Sequence, residues 1–346
     1  MSILEGSGEE EAEFVDPLLR IKGVTPQLAV ALRNAGYYSI EAIAIEPPHM
    51  LFERIGEVAG FSLKKAQEIT AEARKHLKVK VLTLEELEVE EARRQVIPTN
   101  CSELDGILGG GVRTGELTGV SGPYSVGKTE LVFTLALNTV RLLNAGAWII
   151  DTEGTTSAKR LLEMAKAWGI PLDVVKRSIA YSRVIGTADL IATIEDGYRT
   201  IKDHHVKFIG VDTLVNPFRS EYPGRELLAT RQFKINRCLR RLLDYARLYD
   251  IAVLVTNQVR ASPSASSPFE TRPEVLNPPT GGFVFSYMVN NHLYLERLSS
   301  KAFRATLIDS SYMPRGQARY TITERGIEDI DEAKKGSRKE EGQEDE

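Results

Sequence analysis

The sequence predicts an α/β fold with a mainly parallel central sheet, preceded by a small all-α unit. Two observations carry the sheet. Short apolar runs at Leu117–Ser121, Ala147–Asp151, Ile179–Val184, Lys207–Asp212 and Ile251–Asn257 alternate with helical stretches at 158–168, 188–202 and 227–248. Such runs, apolar on both faces, are expected of strands covered by helices on each side. The third observation concerns residues 18–77, which show helical spacing and an apolar-Gly-apolar signature twice.

Residues 1–16 read as a solvated acidic tail. The all-α unit at 17–77 contains Ile21-Lys22-Gly23-Val24-Thr25-Pro26 before one helix and Val58-Ala59-Gly60-Phe61-Ser62 before another. Each copy reads as helix, tight hairpin, helix. This pattern resembles the tandem helix-hairpin-helix module, which holds DNA phosphates without reading bases. Where that module carries a second glycine, the chain has Thr25 and Ser62. The same helices also suit a bundle used for protein contacts; Lys22, Lys64 and Lys65 favour DNA.

A linker at 78–96 follows, in which Val81 and Leu82 suit a short edge strand and Glu85–Arg94 a charged helix. Having few apolar anchors, it is expected to pack on something other than its own domain. The core runs from 97 to 331. It enters through Leu104–Gly111, read as turn-rich, and ends in hairpin strands near 292–298, 303–308 and 319–323. Residues 332–346 are charged and read as disordered.

At 346 residues, the chain suits one large domain with a smaller companion. Its 42% hydrophobic and 27% charged residues are ordinary for a soluble protein. No signal peptide or membrane-spanning run is visible, so a cytoplasmic protein without membrane contact is expected. Cys101 and Cys238 stand far apart without metal-ligand spacing. The net charge of −4 gives no whole-chain signal for nucleic acid, although much of the acid lies in the tails and linker.

The strongest local signal is Gly122-Pro123-Tyr124-Ser125-Val126-Gly127-Lys128-Thr129, between an apolar strand and an apolar helix. It matches the pattern of a loop that wraps nucleotide phosphates. The glycines let backbone N–H groups turn inward, at the positive end of the following helix dipole. Lys128 is placed for the β- and γ-phosphates and Thr129 for a magnesium ion.

Ligands of parallel sheets sit beyond the C-terminal strand ends, where three strands here finish in polar residues. Asp212 is placed to hold magnesium, Glu153 to orient or deprotonate a water, and Gln258 to sense the γ-phosphate. Strand-terminal carboxylates also cap turns; three polar strand ends beside a complete phosphate loop favour chemistry.

A second constellation is basic. Arg219–Arg225 reads as a loop leading into a helix with Arg231, Lys234, Arg237, Arg240 and Arg241, and Val259–Pro279 is a Ser/Pro-rich stretch with Arg260 and Arg272. Long loops in compact domains are commonly functional. Two arginine-bearing loops suit a grip on single-stranded DNA, while a solvated helix face and a plain insertion are the simpler alternative.

Together these segments resemble the RecA-type strand-exchange recombinases, closest to the archaeal RadA group. The resemblance rests on the phosphate loop, Asp-Thr-Glu-Gly-Thr at 151–155, Arg-Ser-Glu-Tyr-Pro-Gly-Arg-Glu at 219–226, Leu-Ala-Thr-Arg-Gln at 228–232, Val-Thr-Asn-Gln-Val at 255–259 and Gly281-Gly282. It implies a RecA-like ATPase core using ATP and Mg2+, with Glu153 as the hydrolytic carboxylate and Arg160 against the adenine. It also implies DNA contacts through Arg219, Arg225, Arg231, Arg260, Arg272, Gly281 and Gly282, coupled to ATP by Gln258.

Expected partners are single- and double-stranded DNA and further subunits, in a homo-oligomeric filament or ring or a hetero-oligomer with a recombinase. Four places depart from the family pattern. Val81-Leu82-Thr83-Leu84 stands for Phe-x-x-Ala, Thr156–Arg160 for Phe-Arg-Pro-Glu-Arg, Tyr287 for a histidine, and Asp309-Ser310-Ser311 for a proline-ended cap. These changes fall on pieces shared between subunits. They leave open a self-sufficient recombinase, a paralogue assisting one, and, third, a ring-helicase-like ATPase.

Overall fold

The computed structural model describes residues 16–56, 60–77, 81–259, 279–280 and 282–330. The chain divides into two compact units, Met1–Val81 and Leu82–Glu346. Within the first, a 3-10 turn at Pro17–Arg20 precedes α1 (Pro26–Asn34), α2 (Ile40–Ile45), α3 (Pro48–Ile55) and α4 (Leu63–His76). Leu18, Leu32, Ile43, Leu51 and Ile69 bury completely in their common core.

The two residues that depart from the hairpin pattern have a visible job. Thr25 accepts from Leu28 N–H at 3.3 Å and Ser62 from Lys65 N–H at 3.2 Å, so each caps the helix it precedes. Such a cap contributes about 1 kcal/mol, offsetting what a more permissive glycine supplies to the turn. Val58 and Ala59 lie outside the described residues.

Val81 and Leu82 do not form the expected edge strand: residues 81–83 carry no regular structure. The charged helix does form, as α5 (Leu84–Ala92), started by a reciprocal cap between Thr83 and Glu86. No residue of α5 is buried.

The second unit continues with β1 (Val96–Ile97), α6 (Ser102–Leu108), β2 (Val112–Arg113), β3 (Leu117–Gly122), α7 (Lys128–Leu143) and β4 (Gly146–Asp151). Next come α8 (Ala158–Ala167), α9 (Leu172–Ser178), β5 (Ile179–Arg183), α10 (Thr187–Glu195), α11 (Gly197–Asp203), β6 (Val206–Asp212), α12 (Val215–Glu221), α13 (Leu228–Tyr249) and β7 (Ala252–Gln258). The last elements are α14 (Gly282–Met288), β8 (Asn291–Arg297), β9 (Phe303–Ser310), β10 (Gly316–Thr323) and β11 (Gly326–Glu328).

Among the described residues, nine strands form one sheet in the order β11-β10-β9-β8-β3-β7-β6-β4-β5. The half from β8 to β5 is parallel, and β9 to β11 extend it antiparallel, as the late hairpins predict. The alternation of apolar runs and helices has the expected outcome: β3 and β4 are buried throughout, and α7 buries eleven of its residues against the sheet.

Three segments differ from expectation. Leu104–Gly111 is mostly helix, because Leu104 and Leu108 bury one turn apart and Ser102 N–H is held by the Asp329 carboxylate at 2.9 Å; the glycines end α6 rather than dissolve it. The stretch 188–202 is two helices. Leu190, Ile194, Tyr198 and Ile201 keep helical spacing across the break at Asp196, so periodicity cannot reveal it. Arg219 belongs to a helix, not a loop: Val215 and Phe218 anchor α12, and Pro217 sits in its first turn, where a missing N–H is tolerated. The acidic and charged tails at 1–15 and 331–346 lie outside the described residues. Among those described, no helix is long and apolar enough to cross a membrane.

Candidate active site

The phosphate loop leaves β3 at Gly122 and enters α7 at Lys128. Its turn needs Gly127, which takes φ +91° in the left-handed region, while Ser125 adopts φ +58°. Lys128 is 8% exposed, and its Nζ donates to the carbonyls of Gly122 at 2.9 Å and Pro123 at 2.6 Å. Tyr124 stays exposed, its ring centroid 5.9 Å from the ammonium. Thr129 Oγ1 donates to one oxygen of Asp212, and Thr256 to the other. Burial lowers the Lys128 ammonium from its ordinary value and raises the Asp212 carboxyl, against the pull of Thr129, Thr256 and Lys128.

Glu153 follows β4 in a loop fixed by Asp151. That carboxylate accepts from the N–H groups of Glu153 at 3.0 Å, Gly154 at 2.8 Å and Thr156 at 2.9 Å, and from Tyr181 OH at 3.1 Å. Burial opposes the Asp151 charge, but the backbone donors win and hold its pKa below the ordinary value. Oε1 of Glu153 accepts from Thr213 at 3.2 Å, Asn216 at 3.3 Å and Gln258. The phosphate loop, Thr129, Glu153 and Gln258 thus line one cleft of about 530 Å³, joined by Arg297, Lys301 and Phe303 from the β8–β9 hairpin.

Sequence reasoning missed Thr213, Asn216, Thr256 and the bracing role of Asp151. They converge from separate strand ends, and no spacing announces them.

Arg160 caps the rim differently. Its guanidinium pairs with both oxygens of Glu130, at 3.0 and 2.9 Å, and donates to the Thr323 and Glu324 carbonyls at 2.7 Å. Arg225 is exposed between α12 and α13, Arg219 is half-buried on α12, and Arg231 donates to the Tyr222 carbonyl at 2.7 Å. Arg260, Arg272 and Gly281 lie outside the described residues, and Gly282 opens α14. The ends of that undescribed stretch are pinned by the Val259–Pro279 bridge and by Thr280 N–H on the Gln258 carbonyl at 2.9 Å. Tyr287 is 81% exposed, and Ser311 N–H donates to the Asn290 carbonyl at 2.9 Å.

The donor set fits a magnesium nucleotide. A desolvated ammonium beside a left-handed loop suits a polyphosphate, and a hydroxyl and a buried carboxylate in contact suit a hard cation.

The family model described as Rad51 matches residues 92–330, and that described as SAM-like helix-hairpin-helix tandem matches residues 15–75. The chain is 34% identical over 330 residues to the DNA repair and recombination protein RadA of Metallosphaera sedula, covering 93% of this chain and 98% of the relative. It is 33% identical over 328 residues to the protein of the same name from Aeropyrum pernix, covering 93% and 99%. The phosphate loop, the braced carboxylate and this near end-to-end similarity together make the chain a member of the Rad51 family, the RecA-like DNA-dependent ATPases of homologous recombination.

Proposed function

We propose that this chain binds single-stranded DNA in the presence of ATP and magnesium and carries out homologous pairing and strand exchange with DNA-dependent ATP hydrolysis. The observation that carries the reading is the convergence of Lys128, the Thr129–Asp212 pair and the Glu153–Gln258 pair at one sheet edge.

ATP supplies the transferable phosphoryl group and magnesium offsets its charge. The residues do the positioning. Lys128 would exchange its two loop carbonyls for phosphate oxygens, Thr129 and Asp212 would hold the metal, and Glu153 would orient a water and accept its proton. Gln258, at the root of the 259–280 segment, reports the state of the site to the DNA loops. In this reading Arg219, Arg225, Arg231, Arg260, Arg272, Gly281 and Gly282 contact DNA, and Arg160 flanks the base.

Two variants test it together. Lys128→Ala is expected to weaken ATP binding by more than about a hundredfold. Glu153→Gln is expected to bind ATP and lose about 10²–10⁴-fold in turnover. Unchanged ATP binding by Lys128→Ala would contradict the pocket assignment.

One observation favours a second reading. Val81 is 95% and Leu84 82% exposed in the segment whose family counterpart docks on a neighbouring subunit, with a different sequence here. A paralogue that binds DNA and ATP and assists a separate recombinase, without long filaments of its own, would use the same pocket with different subunit contacts.

A further inference from the structure

We infer that Asn216 is a positioning residue that ties the first arginine loop to the hydrolytic carboxylate. The inference rests on the reading of Glu153 given above. Gln258, at the end of β7, and Asn216, on the first turn of α12, donate to the same oxygen of Glu153, the latter at 3.3 Å. Gln258 leads into the segment before Pro279. Asn216 leads, through α12, into the loop that bears Arg225.

The helix between them is clamped at both ends. At its start, Asn216 holds Glu153, helped by Thr213 Oγ1 at 3.2 Å on the same oxygen. Val215 and Phe218 bury its inner face. At its far end, the Glu221 carboxylate accepts from Thr187 N–H at 2.7 Å and from the Thr187 hydroxyl at the start of α10. The next carbonyl, of Tyr222, takes the Arg231 guanidinium at 2.7 Å.

A short helix fixed in this way transmits a displacement of Glu153 to the 222–227 loop instead of absorbing it. An amide suits the role because it donates to the carboxylate without adding charge beside a phosphate site. Glu153 is thereby the shared node of two arginine segments rather than the partner of one.

The test uses the full-length protein, single-stranded DNA, ATP and magnesium, with Asn216→Ala, Asn216→Asp and Glu153→Gln measured in parallel. Asn216→Ala is expected to keep the wild-type KM for ATP. The ratio of turnover with DNA to turnover without it should fall about threefold to tenfold, in line with the loss of one hydrogen bond of ordinary strength, this one being long at 3.3 Å. A merely structural role would lower both rates together and leave the ratio alone.

Asn216→Asp sets a second carboxylate against Glu153 and is expected to uncouple further than alanine. It also provides a readout should the alanine variant fold poorly. A wild-type ratio in both variants overturns the inference. Should Glu153→Gln keep wild-type turnover, the reading of the carboxylate fails and this inference with it. An inactive Glu153→Gln beside an unaltered ratio in the Asn216 variants removes the Asn216 link alone.

Discussion

The nucleotide cleft and the segment at 81–92 are built on opposite plans. In the cleft, Lys128, Asp212, Asp151 and Glu153 all find partners within the chain, and strand ends of one sheet hold them in place. In the segment, Val81, Leu84, Leu87 and Val89 are exposed and α5 buries nothing. A desolvated charge must be satisfied locally, because leaving it unpaired costs several kcal/mol. An exposed leucine carries a smaller penalty and waits for a surface to cover it. The cleft residues are thus held by partners within one chain, whereas the segment at 81–92 gains little from its own fold.

This contrast predicts very different responses to substitution. Asp151→Ala should show the largest effect. It removes the buried acceptor of three backbone donors and Tyr181 OH, and is expected to cost about 2–4 kcal/mol in urea unfolding. Turnover should fall with it, because the loop carrying Glu153 loses its anchor. Wild-type stability would mean that the loop is held by something else.

A pH-dependent effect comes next. His292, fully buried on β8 with Ser121 2.8 Å from its Nε2, has its pKa pushed down by burial to about 4. The unfolded chain takes up this proton near pH 6.5 while the folded chain does not, so folding stability falls as the pH drops from about 6.5 toward 4. Wild type should lose up to about 3 kcal/mol over that window relative to His292→Asn, measured as paired denaturation curves at pH 7 and 4.5. Parallel curves would show that the histidine is not held neutral.

The smallest effect on the folded monomer is expected at Leu84→Glu, within about 0.5 kcal/mol, since the side chain is 82% exposed. Its self-association on DNA, followed by sedimentation, should nevertheless weaken. A variant that assembles like wild type would remove this segment from the subunit interface.

How much of this could be read from the sequence follows the same division. The phosphate loop was legible because the chemistry constrains four residues within a run of eight, down to the left-handed turn at Gly127. Asp212 and Gln258 were legible as polar ends of apolar strands. Asn216 and Thr256 were not, because sheet order β7-β6-β4 brings them to the site and nothing in their own neighbourhoods marks it. Arg219 is misplaced for a related reason: the run 219–225 reads as a loop, and only the burial of Val215 and Phe218 shows that its first residues close a helix.

The most direct test of the proposed function places the purified protein on single-stranded DNA with ATP and magnesium, images it by electron microscopy, and assays strand exchange on the same sample. Continuous helical filaments that exchange homologous strands are expected. Bound DNA with neither filaments nor exchange would contradict a self-sufficient recombinase and leave the chain as an ATP-binding partner of one.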